Sequence, residues 1–148
     1  MTKAISFKTK FGWISALENK GKITKIKFGK LHKKTQSIIL NKFKRNIKIF
    51  FSKKIKKLDI PYEIKGNHTQ KRVWNELKKI KYGKTKSYGQ IAKKLNLSAR
   101  YVGKICGQNK LLLLVPCHRV IRTDGSLGGF SSMGGIKLKK RLLELEQK

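Results

Sequence analysis

The sequence predicts an α+β chain: a small mixed strand-and-helix domain over residues 1–60, then a helical domain over residues 66–148. Three observations carry this. Residues 3–28 mix aromatic and β-branched residues with polar ones, as half-buried strands do. From residue 36 onward, apolar residues recur at three- and four-residue spacing, the period of a helix face. Between the domains a Lys-rich stretch (Lys53, Lys54, Lys56, Lys57) runs to Ile60-Pro61, so that residues 57–68 read as a linker. A chain of 148 residues suits one compact domain or two small ones.

In order, Ala4–Lys8 and Gly12–Leu17 are predicted strands. Asn19-Lys20-Gly21 turns the chain into a third, Ile23–Phe28, where Thr24, Ile26 and Phe28 share a face. Residues 36–51 form a helix with Ile39, Phe43, Ile47 and Phe50 on its stripe. The second domain opens with a helix over 69–81, with Val73, Leu77 and Ile80 inward, Trp74 at the edge and Gly83 as a C-cap. Two short helices follow. In Ser87–Leu95, Tyr88, Ile91, Ala92 and Leu95 stand at i, i+3, i+4, i+7 behind an N-cap serine. Asn96-Leu97 turns the chain, and Ser98 caps 99–107, where Ala99, Val102, Ile105 and Cys106 fall on one side and Arg100, Gly103 and Lys104 on the other. This is helix-turn-helix spacing, whose second helix would present its exposed side to a DNA groove. A last helix, about 135–147, has Leu138, Leu142, Leu143 and Leu145 on its apolar arc. Glu146 projects between Leu142 and Leu143.

Charge narrows the partner. The chain has 38 Lys+Arg against 7 Asp+Glu, a formal +31. That excludes a binder working through its own carboxylates and points to nucleic acid or an anionic surface. The abundance of Lys, Asn and Ile together means that compositional bias accounts for part of the excess. Cys106 and Cys117 are too few for a disulfide framework, no apolar leader opens the chain, and the longest apolar run, Leu111–Val115, is far short of a membrane span. The expectation is a reduced, cytoplasmic protein without membrane contact. His32 and His68 are isolated, and His118 has no second ligand pair, so neither metal nor cofactor is expected.

Chemistry enters at Pro116-Cys117-His118-Arg119-Val120. Cysteine and histidine are the pair for an activated thiolate, but neighbours in an extended segment point to opposite sides. A bend or a bridging water is therefore required. The base also needs a group to fix its tautomer, and Glu146 on the buried side of the last helix is the candidate.

The run Leu113-Leu114-Val115-Pro116-Cys117-His118-Arg119-Val120-Ile121 resembles the active-site segment of the O6-alkylguanine-DNA alkyltransferases. Val73-Trp74, Tyr82-Gly83-Lys84-Thr85-Lys86-Ser87-Tyr88, Ile91-Ala92, Arg100, Val102-Gly103, Asn109, Leu127-Gly128-Gly129-Phe130 and Leu142-Leu143 with Glu146 extend the likeness over about residues 66–147. Residues 1–60 fit the family's N-terminal ribonuclease H-like α/β domain in size and element order. The resemblance implies a winged-helix-like DNA-binding domain that enters the minor groove, flips out O6-alkylguanine (O4-alkylthymine being a second candidate) and moves the alkyl group irreversibly to Cys117. That is a single-turnover, monomeric methylated-DNA–protein-cysteine methyltransferase acting on double-stranded DNA.

By resemblance, His118 is the water-mediated base and Glu146 orients it. Asn109 is the hinge between recognition helix and active-site segment. Tyr88 helps rotate the nucleotide and protonates the leaving guanine, and Arg100 fills the vacated stack. Ala99, Gly103, Lys104, Arg119 and Ser131 complete the expected DNA-contacting set. Departures from the family pattern are Lys110 and Leu112 in place of prolines, Phe130 in place of tyrosine, and a longer Ser131-Ser132-Met133-Gly134-Gly135 segment. The rival readings are a non-catalytic lesion binder, against which the cysteine argues, and a basic helix-turn-helix regulator.

Overall fold

A computed structural model describes residues 2–130 and 134–148. They form two compact units, Met1–Ile64 and Lys65–Lys148, and the mixture of a small antiparallel sheet with helices makes the chain α+β.

In the first unit β1 (Lys3–Thr9), β2 (Gly12–Asn19) and β3 (Lys22–Phe28) form an antiparallel sheet in that order. Lys20 and Gly21, at φ +51° and +82°, make the two-residue turn between β2 and β3, a geometry whose twist matches paired strands. Helix α1 (Ile38–Phe51) is capped by Ser37 Oγ, which accepts from the Leu40 amide. The helix buries Leu40, Phe43, Ile47, Phe50 and Phe51. Leu40 rather than the expected Ile39 is the inward residue of its first turn. Residues 61–63, predicted as linker, run beside β3 and are tied to it at one isolated bridge. Tyr62 bridges Ile23, with Ile23 N–H donating to Pro61 O and Glu63 N–H to Ile23 O, both at 2.9 Å.

In the second unit α2 (His68–Lys78) starts at a capping box in which Asn67 and Gln70 satisfy each other's amides. It ends earlier than predicted, and Ile80 is buried beyond its end. Trp74, placed at the edge by periodicity, is 4% exposed, and its indole N–H donates to Ile105 O at 3.2 Å. The two-residue strand β4 (Lys86–Ser87) leads into α3 (Tyr88–Leu95), which Ser87 and Gln90 cap. Asn96, left-handed at φ +57°, turns the chain, and Ser98 caps α4 (Ala99–Gly107). Strand β5 (Val120–Ile121) pairs in parallel with β4, tying the entry of α3 to the segment just after Cys117. Helix α5 (Gly135–Gln147) closes the unit. Among the described residues no helix is long and apolar enough to cross a membrane.

Candidate active site

Cys117, His118 and Arg119 form a 3-10 turn, the bend that the adjacent pair requires. Cys117 N–H donates to Val115 O at 2.8 Å and Arg119 N–H to Pro116 O at 3.0 Å. The approach to the turn is strained: Leu113 holds φ +74°, which costs a side-chain-bearing residue energy. Asn109 pins this loop. Its amide Nδ2 donates to Val115 O at 2.8 Å, while Oδ1 accepts from the Leu111 amide at 2.9 Å. One side chain thus joins the end of α4 to the cysteine segment across Lys110 and Leu112, where the family pattern has prolines.

Behind the cysteine lies a buried charge cluster. His118 Nε2–H donates to Glu146 Oε2 at 2.7 Å; an ionised carboxylate only accepts, so Nδ1 is left as the basic nitrogen. Glu146 is ionised because, although burial raises its pKa, hydrogen bonds from His118 and Arg119 outweigh that and hold it at about 2. Arg119, expected to contact DNA, is turned inward instead and is 7% exposed. Its Nε donates to Glu146 Oε1 at 2.7 Å, Nη2 to Oε2 at 3.0 Å and Nη1 to Ile80 O at 2.8 Å. The physical reason is charge balance: a buried carboxylate facing a neutral imidazole needs a cation. His118 is kept neutral, since burial lowers its pKa more strongly than Glu146 raises it.

In front of the cysteine is an open cavity of about 700 Å³. Cys117 lines it with Tyr88 from α3, Ala99, Arg100, Gly103 and Cys106 from α4, Arg122 and Thr123 after β5, and Gly128, Gly129 and Phe130. Ala99, predicted on the packed side of α4, is exposed and faces this cavity. Arg100 and Lys104 are exposed on the same helix. Gly128, at φ +72°, lies under the Tyr88 ring: a Cβ there would stand 3.0 Å from Cε2. Ser131 lies outside the described residues.

Two features escape a reading of the sequence. Lys139 on α5 is fully buried, and its ammonium donates to Tyr88 Oη at 3.2 Å and to the carbonyls of Leu127 and Gly129. It anchors the glycine loop and the tyrosine to one point on α5. Burial lowers its pKa to about 8, against the pull of the two thiols. The available signal was its register, three residues before Leu142 and seven before Glu146. The other is Arg122, which reaches the cavity wall from the segment after β5 rather than from the helix-turn-helix.

The thiols differ in what they can do. Burial raises the Cys117 pKa, while the Asn109 amide and the Lys139 ammonium pull it back, so the sulfur rests as a thiol that a base can deprotonate. Cys106 is pushed up to about 12 by burial and by Cys117, and is inert at neutral pH. Tyr88, raised to about 12 chiefly by burial, holds its proton as a donor.

The family model described as "6-O-methylguanine DNA methyltransferase, DNA binding domain" matches residues 68–148. A methylated-DNA–protein-cysteine methyltransferase of Methanocaldococcus vulcanius is 48% identical over 104 residues, 68% of this chain and 63% of that one. The match thus spans less than two thirds of that relative's length. Another, of Metallosphaera sedula, is 35% identical over 144 residues, 95% of this chain and 90% of its own. A crystal structure of Mycobacterium tuberculosis OGT in complex with DNA superposes at a TM-score of 0.88 with 30% identity, covering 98% of this chain and 92% of that one. The helix-turn-helix, the cysteine turn and the His118–Glu146–Arg119 cluster all fall within the matched residues, and the chain belongs to the 6-O-methylguanine DNA methyltransferase family.

Proposed function

We propose that this protein repairs DNA by direct reversal, moving the alkyl group of O6-alkylguanine onto Cys117 once per chain. The observation that carries the reading is the placement of Cys117. Its sulfur lines a cavity under the second helix of a helix-turn-helix, and the next residue is a neutral histidine oriented by an ionised carboxylate.

In this reading α4 enters the minor groove, with Arg100 filling the stack that the damaged guanine leaves; unstacking costs a few kcal/mol, offset by that insertion and by phosphate contacts. Ala99 and Gly103 keep the helix surface low at the cavity mouth, and Lys104 adds a phosphate-seeking charge. The Cys117 proton passes through a water to His118 Nδ1, and Glu146 stabilises the imidazolium. The thiolate attacks the alkyl carbon in line. A carbon–sulfur bond forms as the carbon–O6 bond breaks, and the electron pair goes to guanine. The Tyr88 hydroxyl donates a proton to the leaving base, while the Lys139 N–H bound to its oxygen steadies the phenolate. Such a reaction needs one chain and one lesion in double-stranded DNA, in keeping with a monomer working in the reducing cytoplasm.

DNA carrying radiolabelled O6-methylguanine tests this. Transfer is expected to stop at one methyl per chain, with the label on the peptide containing Cys117, because a thioether is neither hydrolysed nor reduced. Repeated turnover, or label on Cys106, overturns the reading. A second expectation concerns Arg100→Ala. It should slow transfer from duplex DNA by far more than transfer from free O6-benzylguanine, because the arginine acts on extrusion from the stack; equal losses on both would remove it from that role.

A further inference from the structure

The cavity mouth carries a second arginine that the mechanism above does not use. Arg122 follows β5 and lines the cavity, and its side chain is exposed. The backbone beneath it is fixed. Arg122 N–H donates to Ser126 O at 2.8 Å, and Gly125 N–H donates to Arg122 O at 2.9 Å. Asp124, the nearby carboxylate, is occupied: its Oδ1 accepts from the Ser126 amide at 2.9 Å and from the Ser126 hydroxyl at 2.7 Å. Among the described residues no ion pair engages Arg122, whereas Arg119 three residues earlier is spent on Glu146.

A guanine whose O6 reaches Cys117 leaves its sugar and flanking phosphates at the cavity mouth, each phosphate with a full negative charge. An exposed guanidinium without an ion pair, carried on that hydrogen-bonded backbone, matches a phosphate in charge and in its fork of donors. Resting on the alkyl-transfer reading, we propose that Arg122 binds a backbone phosphate of the flipped nucleotide and so holds the base against Cys117. This role differs from that of Arg100. A stack-filling residue matters only when there is a duplex to open, while a phosphate clamp matters for any strand.

The test measures single-turnover transfer by wild type, Arg122→Ala, Arg122→Lys and Arg100→Ala from three substrates: duplex DNA with O6-methylguanine, the same strand alone, and free O6-benzylguanine. Arg122→Ala is expected to slow both DNA substrates by about tenfold more than it slows the free base. The slope of log affinity against log salt should shrink by about 0.9 on duplex and about 0.7 on single strands, the change that one fewer neutralised phosphate gives. Arg122→Lys should restore part of the rate, and Arg100→Ala should affect the duplex alone. A uniform loss on all three substrates would make Arg122 a wall of the base pocket, and no loss on either DNA would remove it altogether; either result overturns the proposal. A wild-type chain that transfers nothing from any substrate overturns the alkyl-transfer reading itself, and this proposal with it.

Discussion

Cys117→Ser is expected to bind DNA as the wild type does and to accept no alkyl group. The substitution changes one atom at a buried position and leaves Arg100, Lys104 and Arg122 in place, so the sequence-independent phosphate attraction survives. What disappears is the nucleophile. A serine hydroxyl beside a neutral imidazole stays protonated, and a neutral hydroxyl is a poor attacker of saturated carbon. Cys106 offers no detour, since its thiol is buried and pushed up to about 12. Intact-mass spectrometry after incubation with methylated duplex reads the result directly, and a single methyl on the variant would refute the assignment of the acceptor.

Glu146→Gln is expected to give the next largest loss, about 10²-fold or more in transfer rate near pH 7, with partial recovery as pH rises. The sign follows from the cluster. Forming the thiolate places a proton on His118, and that imidazolium is stabilised by Glu146. The amide removes the anion but leaves the Arg119 cation close by, so His118 protonation becomes harder and the apparent thiol pKa rises. Higher pH then supplies thiolate without the base. A pH–rate profile unchanged from wild type would reduce Glu146 to a packing residue. Stability should fall too, by about 3–5 kcal/mol, because Arg119 is left buried with its main acceptor gone. In the wild type the carboxylate, depressed from 4.5 to about 2, contributes stability that is present above pH 4.5 and is lost as pH falls toward 2. The variant should lack that acid-sensitive portion, which circular dichroism across this range would follow.

The helices were legible because their signals are local. Ser87, Ser98 and the apolar spacing behind them mark α3 and α4 within the chain itself, and the caps form as those residues dictate. Arg119 and Lys139 were not legible. Among 38 basic residues nothing local says which two turn inward; that depends on a carboxylate 27 residues away for one and on two loop carbonyls for the other. Trp74 was misplaced for a related reason, since its indole is drawn inward by the Ile105 carbonyl on another helix. The site as a whole came from the motif around Cys117, while its charge balance came only with tertiary packing.

The bond between His118 and Glu146 spans 28 residues of chain. During synthesis the cysteine is therefore made a few seconds before the carboxylate that completes its activating pair, at about 5–20 residues per second. Until α5 docks, Cys117 stands beside an imidazole that no carboxylate orients, so the base that would take its proton is not yet assembled. Activation of the thiol in the proposed reaction is thus a property of the folded unit with α5 in place, and not of residues 116–120 by themselves.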